Sequence, residues 1–191
     1  GGTPFGGEAT QGMERFPYNT LNAENPGISG FGDLYQNINQ MNLFISRTLH
    51  ADVLTESAKN YYLGQVYGLR AYYMYQLYRS WGDAVFTEEP SLGFEVGKLA
   101  KAATPAAEIF EQVKKDIESS LSYFGPDYTI KEKKSLWSKA ATLMLKADVY
   151  LWSAHRDGGE GDARTAKNAL VDIQNNISRS NLDLMDTYQG V

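Results

Sequence analysis

Within the first 31 residues, Phe5, Phe16, Tyr18 and Phe31 supply flat apolar rings, while Arg15, Asn19 and Asn22 supply one guanidinium and two amides. Sugar recognition uses both kinds of group: a ring face takes the C–H side of a pyranose, and planar polar groups make paired hydrogen bonds to its hydroxyls. The segment is rich in Gly, Pro, Asn and Thr and has no sustained period, which reads as loop. A loop this long either carries function or is covered by other parts of the molecule. These seven residues are the candidate ligand-binding set.

Arrangements that would do catalysis are weaker. His50 and His155 are the only histidines and form no H-E-x-x-H pattern, so the zinc-hydrolase signature is missing. Asp83, Glu88 and Glu89 lie close in sequence, but paired carboxylates cleave glycosides only when a fold holds them roughly 5 to 10 Å apart in a cleft. No G-x-S-x-G element suggests a serine hydrolase. Asp157-Gly158-Gly159-Glu160-Gly161-Asp162 departs from a calcium loop in length and spacing and reads as a turn. Cysteine is absent, which removes thiol nucleophiles, thiolate metal sites and disulfides together. The expectation is a binding protein that needs no enzyme chemistry, no metal and no cofactor.

Charge narrows the partners. A net charge of -5 argues against nucleic acid, which needs clustered Lys and Arg, and the one basic run, Lys131-Glu132-Lys133-Lys134, is short and interrupted. No apolar run approaches the roughly 18 residues of a membrane span. The start lacks the basic and apolar regions of a signal peptide, and both ends read as mid-loop, so a secretory signal or a lipid-anchoring Cys is expected outside this sequence. A chain of 191 residues buries roughly 70% of its unfolded surface and folds without staples.

The elements that must position any site are helices. Leu34, Ile38, Met41, Ile45 and Leu49 fall at helical spacing over 33–49. Thr55 can cap a second, Tyr-rich helix that Gly82 ends. Its line of Val66, Leu69, Tyr73 and Leu77 is joined by Tyr62, Tyr67, Tyr72, Tyr75, Tyr78 and Trp81 on other faces, so it is apolar nearly all round and needs neighbours on several sides. Residues 83–103 are irregular, punctuated by Pro90, Gly93 and Gly97. Thr104-Pro105 reads as a cap with proline at the first helical position, opening a third helix with Ile109, Val113, Ile117 and Leu121 inward, stopped by Gly125-Pro126. Ser135 is expected to cap a fourth helix facing inward through Leu136, Ala140, Leu143, Ala147, Tyr150 and Ala154. A turn over 157–161 then precedes a fifth, capped by Asp162 and carrying Ala166, Ala169, Leu170 and Ile173.

The fold class is therefore all-α, antiparallel helix pairs with long irregular loops, in one helical domain over 1–191 with its core over 33–178. Residues 135–177 have the shape of a tetratricopeptide-type pair. Arg70 on an apolar helix demands a partner, Asp116 or Asp148, and reads as a structural ion pair ahead of a ligand contact.

Leu69-Arg70-Ala71-Tyr72-Tyr73 followed by Trp81-Gly82-Asp83 resembles the signature of the SusD/RagB family of outer-membrane nutrient-binding proteins. Three further blocks agree in order. Tyr35, Ile38 and Asn42 resemble the family's first helix with its inward Asn; Ile109, Val113, Asp116 and Ile117 its Ile-x-x-Asp-Leu helix; and Lys139 to Trp152 its Ala-rich repeat helix. Leu136 stands where the family often has an arginine.

The resemblance implies a cell-surface lipoprotein of the outer membrane, held by a lipid anchor absent from this sequence, that captures an oligosaccharide or similar nutrient. It would pass that cargo to a TonB-dependent transporter of the SusC type, and this chain would be the N-terminal part of such a protein. The competing reading is a helical-repeat adaptor that presents the same Tyr-rich helices to another protein.

Overall fold

The computed structural model describes residues 32–93 and 101–180, without the side chains of Lys133 and Ser180. Its helices are α1 (Gly32–Leu49), α2 (Glu56–Trp81), α3 (Ala106–Phe124), α4 (Lys139–Ser153), α5 (Gly159–Asn175) and a single turn, α6 (Ile177–Ser180). Helix α2 runs through the middle, against α1, α3 and α4, and α5 packs on α4. The paired residues descend on one helix as they rise on the other. Tyr78 meets Phe110, Arg70 meets Asp116 and Gly64 meets Ser120, so α2 and α3 are antiparallel.

The ring-rich stretch forms the single helix its spacing predicts, and its all-round apolar character is used. Ala71, Met74, Tyr75 and Leu77 are fully buried among Ile38, Ile109, Val113, Ile117, Leu145 and Val149. Each such aliphatic side chain contributes roughly 1.5–3 kcal/mol by leaving water. Thr55 caps α2 by accepting a bond from the Ala58 N–H, and Gly82 closes it.

A second cluster joins Leu143 and Ala147 of α4 to Ala166 and Ala169 of α5 beneath Tyr128, the alanines allowing close approach. Helix α4 thus buries two faces, Leu145 and Val149 toward α2 and α3, Leu143 and Ala147 toward α5. Between the layers, Ser120 donates to the Gly64 carbonyl, lies 2.8 Å from the Thr142 hydroxyl, and that hydroxyl accepts from Trp137 Nε1 at 2.8 Å. A Cβ on Gly68 would come 2.1 Å from that indole nitrogen, so only glycine lets α2 approach here.

Four boundary expectations are corrected. The Thr104 side chain caps nothing: its backbone pairs with Ala84 in an isolated β-bridge, Pro105 is the N-cap of α3, and Asp83 accepts from the Ala106 N–H at 2.8 Å. Tertiary reach supplies what a local hydroxyl was expected to supply.

Ser135 does not open α4, because its hydroxyl is turned back to the Glu132 carbonyl after a short 3₁₀ turn; Ser138 caps the helix through the Ala141 N–H. Leu136 therefore precedes the helix and is exposed. No open turn separates α4 from α5: residues 154–158 continue as a π-helical turn, and Gly159, at φ 55, redirects the chain in the left-handed region that favours glycine. Asp162 consequently lies inside the first turn of α5, where its charge suits the helix dipole, and Leu170 is exposed.

Candidate functional site

Among the described residues, Arg70 is the most heavily bonded side chain. Helix α2 is so apolar here that the guanidinium is only 2% exposed, and Asp116, opposite it on α3, is 1% exposed. Arg70 Nε donates to Asp116 Oδ2 at 2.6 Å and Nη2 to Oδ1 at 2.8 Å, the fork-to-fork arrangement that a planar guanidinium makes with a carboxylate. Nη1 donates to Asn42 Oδ1 at 2.8 Å, Gln112 adds a bond to Asp116, and the Tyr67 ring lies 5.2 Å from the guanidinium carbon.

Burial works against the Arg70 charge, yet the bonds and charge of Asp116 hold it above its ordinary range. Burial also pushes the Asp116 carboxyl up, against the pull of Arg70. The two short bonds and the Gln112 amide favour the ionised pair at neutral pH, since each is made to a charge.

This cluster reaches outward to fasten the segment after α2. Arg70 Nη2 lies 3.4 Å from Glu88 Oε1, which also accepts from Gln112 at 2.9 Å. Asn42, held by Arg70 through its oxygen, donates its amide to the Thr87 carbonyl at 2.6 Å. One turn earlier on α1, Asn39 exchanges two bonds with the Ser91 backbone, 3.2 Å out and 2.7 Å in, as a β-strand neighbour would. The Ala84–Thr104 bridge pins the other end.

Beneath the fastened segment is a cleft of about 700 Å³, between Tyr35, Ile38 and Asn39 of α1 on one side and Phe86, Thr87 and Glu89 to Leu92 on the other. Burial pushes the Tyr35 phenol up, its bond to the Val85 backbone opposing. Of the polar side chains in the lining, Gln36, Glu89 and Lys101 have no hydrogen-bond or ion-pair partner among the described residues.

The seven residues expected to bind ligand, Phe5, Arg15, Phe16, Tyr18, Asn19, Asn22 and Phe31, lie outside the described residues. Arg70 is paired with Asp116 as expected; the alternative, Asp148, lies 3.9 Å from Arg79 instead. Of the three weighed carboxylates, Asp83 is spent on α3 and Glu88 on the Arg70 cluster, and Glu89 alone lines the cleft.

An adaptor would present the rings of α2 to a partner, but most are committed. Tyr75 is buried, Tyr78 packs on Phe110 with centroids 4.8 Å apart, and Tyr67 stacks on Tyr123 at 5.6 Å. No group of three or more His, Cys, Asp or Glu that could hold a metal occurs among the described residues, and no described helix is long and apolar enough to cross a membrane. Sequence reasoning missed the cleft itself, although Asn39 and Asn42, three apart on one helix face, were a signal that α1 bonds to something beside it.

No protein-family model matches the chain. A SusD-like protein, P38, of Formosa agariphila is 32% identical over 113 residues, covering 58% of this chain and 20% of that protein. Among solved structures, NanU of B. fragilis superposes with a TM-score of 0.80 at 49% identity. A SusD superfamily protein of Bacteroides vulgatus gives 0.79 at 46%. Both matches cover 97% of this chain and 36% of the other, so the chain spans about a third of the length of these relatives.

Proposed function

We propose that the chain belongs to the SusD/RagB family and is the helical N-terminal part of a cell-surface protein that captures an oligosaccharide or similar nutrient. The cargo then passes, uncleaved, to a TonB-dependent outer-membrane transporter of the SusC type, and a lipid anchor supplied outside this sequence holds the protein at the membrane. The observation that carries the reading is the near-half identity to NanU along almost the whole chain in the same fold. The buried Arg70–Asp116 pair fits it as scaffold: it spends its charge on fixing helices and the adjoining segment, and offers none to a reaction.

Ligand contact in this reading falls to residues 1–31, through ring stacking and paired hydrogen bonds. A glycan array on the full-length protein tests it. A bound, uncleaved oligosaccharide supports capture, with Phe16→Ala and Tyr18→Ala weakening the binding. Release of a shortened product would replace capture by hydrolysis, and absence of binding to every glycan would remove the saccharide ligand.

A further inference from the structure

We propose that the cleft between α1 and residues 85–93 is itself a binding site for a neutral saccharide, distinct in its residues from the aromatic set within the first 31. The inference rests on the saccharide reading above and adds a place and a selectivity to it. Four features of the cleft point the same way.

First, its volume of about 700 Å³ is that of a small-molecule site, which typically spans roughly 300–1,000 Å³. Second, its outer wall is fixed in advance. The backbone from Ala84 to Ser91 is held by the Thr104 bridge, by Asn42 on Thr87, by the Arg70 cluster on Glu88 and by Asn39 on Ser91. A wall tied down this often loses little freedom when a ligand arrives, so contacts made there are not spent on ordering the segment.

Third, polar side chains in the lining keep capacity unspent among the described residues. Gln36 brings an amide that both donates and accepts, Glu89 accepts only and Lys101 donates only; none has a partner among the described residues. Among the described lining residues the one acid and the one base cancel, which favours neither a phosphate, which would call for surplus cations, nor an amine, which would call for surplus acids. Fourth, Tyr35 and Phe86 add ring surface to the same lining. A ligand that uses apolar faces together with donors and acceptors, and carries no net charge, is a polyol ring with a C–H side.

The test is titration of the purified full-length protein with neutral α- and β-linked glucan, mannan and galactan oligosaccharides and one uronate oligosaccharide, followed calorimetrically and by NMR. Gln36→Ala with Glu89→Ala removes two exposed side chains that have no partner among the described residues, and should leave the circular dichroism and melting of the free protein as they are. The proposal expects a neutral oligosaccharide to shift the Gln36 and Asn39 side-chain amides, and the double variant to weaken its binding about tenfold or more, the worth of one or two hydrogen bonds.

Binding that survives the double variant but disappears in Phe16→Ala with Tyr18→Ala overturns the cleft and leaves saccharide capture standing on residues 1–31. Preference for the uronate overturns the neutral selectivity. No binding by any member overturns both readings.

Discussion

Replacing Asp116 with alanine tests whether the Arg70 cluster holds the molecule together. The substitution removes the acceptor of two bonds at 2.6 and 2.8 Å and leaves a guanidinium that is 2% exposed. Losing one partner of a buried ion pair costs about 3–5 kcal/mol, because the remaining charge is neither paired nor hydrated. Asn42 still accepts from Nη1, and Glu88, half-exposed and 3.4 Å away, recovers little through solvent, so the expected loss is about 3–4 kcal/mol.

For a chain of this size that is a fall in melting temperature of roughly 6–16 °C. Urea unfolding followed by helical circular dichroism measures it, with an unchanged slope showing that the unfolded reference has not moved. The companion variant Arg70→Met with Asp116→Leu removes both charges and should cost less than Asp116→Ala alone, since no buried charge is stranded. Hydrogen exchange should also quicken at the Ser91 amide in Asp116→Ala, because the same cluster fastens that segment. A loss below about 1 kcal/mol, or a double variant less stable than the single, would refute the reasoning.

Two further outcomes follow from packing and charge. Gly68→Ala should lower stability by about 1–2 kcal/mol despite alanine's better helix propensity, because its Cβ would overlap Trp137 Nε1; Trp137 fluorescence should change as its bond to Thr142 is broken, and a raised unfolding midpoint would show that the indole yields freely. The Tyr128 phenol is pushed up to about 12 by burial first and by its bond to Asp172 second. A folded value above the unfolded one near 10 means that this contribution to stability is complete below pH 10 and is lost as pH rises through about 12. Phenolate absorbance should therefore show a late step, shared with Tyr75, that shrinks in Tyr128→Phe and moves down in Asp172→Asn; a titration unaltered by both substitutions would contradict the assignment.

Much of the architecture was legible because it depends on short-range periodicity. The stripes of α1 and α3, the Thr55 cap and the Gly82 stop of α2, and the pairing of Arg70 with one of two named acids all come from spacing and from the cost of an unpaired buried charge. The misses share a cause. Asp83 displaced Thr104 as the group at the start of α3, and Ser138 displaced Ser135 at α4, because several residues of suitable chemistry competed and the winner depended on where the chain had been folded back. The π-helical turn before Gly159 was read as an open turn because its Gly and Asp content is the same in either case.

The amino-acid order by itself determined that this is a helical protein with an aromatic central helix, without cysteine chemistry, and with a signature that resembles that of the SusD/RagB family. Those properties are carried by residues within a few positions of one another, and local sterics and apolar spacing are enough to express them. Only the tertiary structure decided that Asn39, Asn42 and Arg70 would reach across to residues 87–91 and roof a cleft over Tyr35. Hydrogen bonds between positions 18 to 52 residues apart depend on how helices pack, and packing is set by the shapes of all the buried side chains together.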